Sequence, residues 1–241
     1  LAFGILYLQN VVGLEPCPLC IFQRMAYAGL AVVFLLGGLH APRAPGGRRF
    51  YGVLVALDRP LLVVHGGAGV EPGDLTAEEE QAARAALAEA LRAGYARLQA
   101  GMPALDAVSA AVTVLEDAPM FNAGRGAVFT HDGRNELVAA IMDGASGMAG
   151  AVAGVHRVKN PIRLARAVME KSQHVMLVGD GAEQFAQAQG VELVDPAYFR
   201  TEKRWQQLQK ALAEDAAGVA HADLATARHF GTVGALALDA Q

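Results

Sequence analysis

Of the 24 acidic side chains in the chain, the first 57 residues hold one, Glu15, which leaves 23 for the 184 residues that follow. A charge distribution split in this way suits no single water-facing surface, and it divides the chain into two unlike segments that meet near residue 57. Met25 to Leu39 carry no charge, and with Ile21, Phe22, His40 and Ala41 the run approaches the length that crosses a bilayer. Gly29, Gly37 and Gly38 fit a membrane helix better than the alternative, a buried helix of a soluble fold. Leu1 to Leu14 read as the tail of a preceding span. Phe50 to Leu57 read as the stub of a later one, cut off by Asp58-Arg59-Pro60. The opening inside an apolar stretch, with neither Met nor a basic leader, reads as a truncated start. Arg43, Arg48 and Arg49 favour the cytoplasmic side for the loop after the span, which sets the preceding loop outside.

That outer loop contains both cysteines of the chain, in Cys17-Pro18-Leu19-Cys20. Two thiols at this spacing can cycle between dithiol and disulfide, whereas zinc would need two further ligands that no second Cys/His pair supplies. The run Glu15-Pro16-Cys17-Pro18-Leu19-Cys20-Ile21-Phe22-Gln23-Arg24 resembles the first periplasmic loop and second helix of the disulfide bond formation protein B (DsbB) family. The resemblance implies inner-membrane attachment through residues 1–41, electron transfer from Cys17 and Cys20 to a quinone, and quinone binding by Arg24. The family's second cysteine pair and later helices have no counterpart here.

From Leu61 the pattern changes. Leu61-Leu62-Val63-Val64 is a short apolar strand running into His65-Gly66-Gly67-Ala68-Gly69, a tight glycine loop that lacks the Gly-Lys-Ser/Thr of a nucleotide-binding loop. His65 reads as a structural loop histidine. Thr76-Ala77-Glu78-Glu79 is a capping box before a strongly amphipathic helix to about Ala100. Gly101 stops it, and Pro103 opens a second helix, Ala104 to Glu116, with Leu105, Val108, Val112 and Leu115 on one face. Phe121 to Phe129 form a glycine-rich loop entering a strand. Hairpin turns at Asp132-Gly133 and Asp143-Gly144 lead to strands Glu136 to Met142 and Gly150 to Val155. A helix after Pro161, a strand His174 to Val178, a helix Ala182 to Gln189 and a charged helix from about Thr201 to Glu214 complete the pattern. Asp215 to His229 lack an apolar stripe and read as a mobile linker whose His221 and His229 are solvated rather than metal-bound.

The linker ends at Gly231-Thr232-Val233-Gly234-Ala235. Taken alone, a Gly-Thr pair before a strand is most often a turn. A threonine that also carries a free α-amine is a different chemical object, because the amine can take the hydroxyl proton near neutral pH. Five ordered segments bear on the choice: His65 to Gly69, Phe121 to Phe129, Met142-Asp143-Gly144, Gly150 to Val155, and Gly231 to Ala235. Together they resemble the plant-type L-asparaginase or isoaspartyl peptidase family of N-terminal nucleophile hydrolases over about residues 61–239.

The resemblance implies an α/β (α+β) fold, the αββα sandwich, truncated here: an α-subunit over 58–231 with linker 215–231, then the first β-subunit strand at 232–241. It implies self-cleavage of the Gly231-Thr232 bond, Thr232 as the catalytic nucleophile, and Gly66 and Asn122 as supporting residues, although Asn122 serves equally well as a loop-closing turn residue. The hydrolase part would need no cofactor beyond a structural sodium ion held by backbone carbonyls of Leu115, Glu116, Ala118, Phe121, Ala123 and Arg125. The implied substrate is a small-molecule amide or β-aspartyl dipeptide, and the implied assembly is a dimer of αβ units. The family's substrate clamp and oxyanion donors follow the nucleophile strand and lie beyond Gln241, and each missing donor costs roughly 3 to 4 kcal/mol of transition-state stabilisation.

A net charge of -4 and a pI near 6.0, with no dense Lys/Arg stripe, argue against nucleic acid as a partner. Two other readings stay open: a membrane thiol oxidoreductase, or a joined gene fragment with no activity of its own. The hydrolase part lies on the cytoplasmic side if residues 1–57 are anchored, and is cytoplasmic if that segment is an artefact.

Overall fold

The computed structural model describes residues 60–67, 75–216 and 232–239. The expected spans, Cys17, Cys20, Arg24, Gly231, His221 and His229 lie outside the described residues, as does all but the first two residues of the expected linker. Among the described residues no helix is long and apolar enough to cross a membrane.

The fold is mixed α/β. Strand β1 (Leu61–His65) leads to helices α1 (Ala77–Gln99) and α2 (Ala104–Asp117), then to the hairpin β2 (Leu137–Met142) and β3 (Ala149–Val155). Helix α3 (Pro161–Lys171), strand β4 (Met176–Val178), helices α4 (Gly179–Ala188) and α5 (Glu202–Ala216), and strand β5 (Gly234–Leu238) follow. The strands form two small sheets. β1 and β5 pair antiparallel from Leu61 opposite Leu238 to His65 opposite Gly234, while β3 lies between antiparallel β2 and parallel β4.

Helix α1 starts where its capping box dictates: the Glu79 N–H donates to Thr76 Oγ1 at 3.2 Å and the Thr76 N–H to Glu79 Oε2 at 3.0 Å. Its buried stripe is narrower than expected, with Ala90, Gly94 and Leu98 inside and Leu91 and Tyr95 largely exposed. Small residues there and at Ala107 and Ala111 let α1 and α2 pack closely. They form one core with Leu62, Leu115 and Phe121. A second core joins Leu137, Ile141 and Val152 of the larger sheet to Leu164 and Val168 of α3, Ala182 of α4 and the fully buried Phe199. Val233 and Ala235 pack against both cores.

Four sequence expectations shift. The strand after the Phe121 loop is a single bridge between Phe129 and Asn135, because Gly124 to Gly126 coil into a 3₁₀ turn. The strand expected from His174 begins at Met176, since the His174 N–H is taken by Ser172 Oγ at 3.1 Å in a turn. Helix α4 begins three residues early, at Gly179, where burial of Ala182 and Ala186 against the core outweighs poor glycine propensity. The first two residues of the expected linker, Asp215 and Ala216, are helical in α5.

Candidate active site

Thr232 precedes β5 by two residues and is exposed. The ladder that pairs His65 with Gly234 would, extended by two residues, set Thr232 across from Gly67 at the mouth of the glycine loop. Gly66 lies against a second part of the site. A Cβ there would sit 2.9 Å from Phe121 Cε1 and 3.1 Å from Leu87 Cδ2, so any side chain would force these neighbours to shift. Phe121 in turn begins the segment that carries Asn122. The folding of β1 against β5 therefore brings Gly66, the Phe121-Asn122 loop and Thr232 to one end of the small sheet.

Three side chains shape that loop. Asn122 Oδ1 accepts from the Val128 N–H at 3.0 Å, which is the loop-closing role open from sequence. The buried Asn135 donates from Nδ2 to the carbonyls of Ala127 at 2.9 Å and Val128 at 3.3 Å. The buried Arg204 of α5 donates from Nε to the Gly126 carbonyl at 2.8 Å, and burial pushes its pKa down. Gly124, at φ 47°, turns the loop back on the end of α2, where a Cβ would meet Glu116 Cβ at 2.7 Å and clash with the Glu116 backbone. None of Asn135, Arg204 or the Glu116 side chain was singled out from sequence.

Glu116 had a legible signal. With Asp117 it places two acids in the last turn of α2, where the helix dipole disfavours negative charge. The structure explains the cost: Glu116 is 3% exposed, its Oε1 accepts from the Ile162 N–H of α3 at 3.0 Å, and its Oε2 has no hydrogen-bond partner among the described residues. Asn160 Nδ2 donates to Asp117 Oδ1 at 3.0 Å beside it. Burial pushes the Glu116 carboxyl up to about 8 and the adjacent Asp117 charge adds to the rise, against the Ile162 N–H, Asn160 and Arg163, which favour ionisation.

The carbonyls expected around sodium lie on the last turn of α2 and the loop that follows it. Those of Leu115, Ala118 and Ala123 each accept a backbone N–H, from Ala118, Phe121 and Gly126 respectively. A carbonyl oxygen has two lone pairs, so these three hydrogen bonds leave each of the three oxygens one acceptor site. Among the described residues no group of three His, Cys, Asp or Glu side chains offers an alternative metal site.

The arrangement has relatives. Residues 58–241 match the asparaginase family model. The chain belongs to the asparaginase family. Over 186 residues it is 46% identical to an isoaspartyl peptidase of Escherichia coli, covering 76% of this chain and 58% of the relative. A mouse isoaspartyl peptidase/L-asparaginase is 44% identical over 179 residues, covering 74% of this chain and 53% of the relative. A plant-type L-asparaginase of Pyrococcus abyssi is 48% identical over 153 residues, with 63% and 48% covered. The chain thus spans less than two thirds of each of these relatives. Residues 1–69, a minority of the chain, match the disulfide bond formation protein DsbB model.

The raised Glu116 carboxyl sets a pH dependence for this asparaginase-family fold. The group is protonated when folded and ionises near 4.5 when unfolded, so its contribution to stability is complete below that value and is lost as pH rises towards about 8. Urea unfolding at about pH 5 and about pH 8 should show the chain losing stability across this window relative to Glu116→Gln, which has no proton to lose. Parallel changes in the two proteins would refute the assignment.

Proposed function

We propose that this chain is an amidohydrolase of the L-asparaginase or β-aspartyl (isoaspartyl) peptidase class in which Thr232, freed by cleavage of the Gly231-Thr232 bond, is the nucleophile. The observation that supports the reading is that Thr232 is exposed two residues before β5, the strand whose ladder with β1 ends at His65 opposite Gly234.

The chemistry proceeds in two stages. The Thr232 hydroxyl attacks the Gly231 carbonyl carbon, the C–N bond breaks, and the acyl group moves to oxygen as an ester while the nitrogen becomes a free amine. Water hydrolyses that ester and leaves Gly231 with a carboxylate. The new α-amine then accepts the hydroxyl proton as Thr232 attacks the side-chain amide or isoaspartyl carbonyl. The expelled amine takes up a proton, and water releases the acyl group as an aspartyl product. Gly66 and Asn122 would shape the pocket through the close approach of Phe121 and the closed loop.

Two apolar sheet faces exposed among the described residues support a larger family-type assembly. Leu61, Val63, Leu236 and Leu238 line the open side of β1 and β5, and Val138, Met142, Met176 and Val178 lie exposed on the larger sheet. Family polypeptide equivalent to a β-subunit, completing an αββα sandwich, would bury these faces. A sodium ion on the carbonyls of Leu115, Glu116, Ala118, Phe121, Ala123 and Arg125 would rigidify the loop. Exchange of sodium for a bulky organic cation should then lower the thermal midpoint, and an unchanged midpoint would exclude the ion.

Residues 1–57 carry a second reading, favoured by the DsbB match: a membrane-attached, quinone-linked thiol pair at Cys17 and Cys20 with Arg24 at the quinone. Thiol trapping that shows no oxidation of the pair on adding quinone would count against it.

Hydrolysis of asparagine and of a β-aspartyl dipeptide by the protein and by Thr232→Ala tests the leading reading. Loss of the nucleophile should reduce turnover by at least about a thousandfold. Equal rates would reject Thr232.

A further inference from the structure

We propose that the cleft between α1, α2 and α3 is a docking site for an acidic polypeptide segment of a partner protein. The cleft lies on the helical surface and has a volume of about 610 Å³. Its floor is small and apolar, with Ala93, Ala110 and Ala167 contributed by the three helices, while four cations stand around it: Arg97, Arg163, Arg166 and Lys171. Two carboxylates line the cleft with them, Asp106 and Glu170, and one arginine pairs with both, while Arg163 also acts at longer range on the buried Glu116. Arg166 pairs with Asp106 through Nη1 and with Glu170 through Nε at 2.7 Å.

The other three cations have no carboxylate within ion-pair distance among the described residues. Arg97 reaches only Met102 Sδ, at 3.8 Å, and Arg163 Nε reaches only Thr113 Oγ1, at 3.5 Å. The local excess of cations occurs on a chain whose net charge is -4. It is also built rather than scattered. Ser109 donates to the Leu105 carbonyl at 2.6 Å and Thr113 to the Ser109 carbonyl at 2.8 Å, so both hydroxyls can serve the arginines only as acceptors. Arg166 Nη1 and Arg163 Nε each come within 3.5 Å of one of these oxygens across the helix interface.

Spacing selects the ligand class. Arg163 and Lys171 stand eight residues apart on α3, about 12 Å at 1.5 Å rise per residue, with Arg97 on the opposite wall. A single phosphate or small dicarboxylate cannot bridge them, whereas carboxylates along a peptide can. The cleft lining includes no aromatic ring on which a base could stack, which favours a peptide over a single-stranded nucleic acid. Guanidinium forks match carboxylates well, and attraction of this kind governs encounter and specificity.

Fluorescence anisotropy of a labelled Glu-rich peptide of about ten residues, titrated with the full chain, tests the docking site. The peptide should bind, weaken as salt rises from about 0.05 to about 0.2 M, and bind at least about tenfold more weakly to Arg163→Gln/Lys171→Gln. Lys210→Gln, on α5 outside the cleft, should leave binding unchanged. If the double variant does not fold, Arg97→Gln alone should show the loss. Any of four results would overturn the proposal: undiminished binding to the cleft variants, equal loss with Lys210→Gln, equal binding of a Gln-for-Glu peptide, or tighter binding of a single-stranded oligonucleotide. Displacement of the peptide by inorganic phosphate at about millimolar concentration would also overturn it, because it would mark a point-anion site.

Discussion

The pairing of β5 with β1 is the constraint on which the arrangement of this chain depends. These strands lie about 170 residues apart in sequence, and closing so long a loop is entropically costly unless much is gained at the junction. The gain is visible at three points. The five-residue ladder fixes register, Val233 and Ala235 pack against both hydrophobic cores, and Asp239 Oδ2 accepts from the Ala104 N–H at 2.7 Å at the start of α2. The last contact supplies a cap that Pro103 cannot provide through its own side chain. One strand therefore joins both cores to the helix that leads into the Glu116 loop, and carries Thr232 at its head.

The loop after α2 is organised from the other direction. Glu116 is buried under a glycine that no other residue could replace without a clash, and it reaches across to the first turn of α3. Arg204 and Asn135, from distant parts of the chain, hold the loop carbonyls. Burying a carboxyl in this way costs free energy unless it stays protonated, and its retention trades local stability for a defined loop shape beside Gly66. Asp106, Ser109 and Thr113 line the cationic cleft from the same side of α2 that carries Glu116, so α3 meets both the buried carboxyl and the cleft along one helix face.

Local order was largely legible in the sequence because it rests on local chemistry. The Thr76 capping box, the Gly101-Met102-Pro103 break and the Asp143-Gly144 turn place their elements within a residue or two. Where tertiary packing decides, the reading shifted: Ala182 and Ala186 draw α4 back over glycines, and α5 runs through Asp215 into what looked like linker. Thr232 and Gly66 stand out in the sequence because a Gly-Thr bond before a strand and a tight glycine loop leave motifs. Asn135 and Arg204 act through contacts 8 and 78 residues away in sequence, which no spacing pattern announces, while Glu116 was marked by its place in the last turn of α2 but not by its partner 46 residues on.

The central claim is that Thr232 becomes a chain terminus by the protein's own chemistry. Intact-mass measurement of the purified protein after prolonged incubation tests it directly. Self-cleavage predicts one product ending at Gly231 and a second beginning at Thr232, with both absent from Thr232→Ala. A single uncut mass under the same conditions, or cleavage that persists in Thr232→Ala, would contradict it.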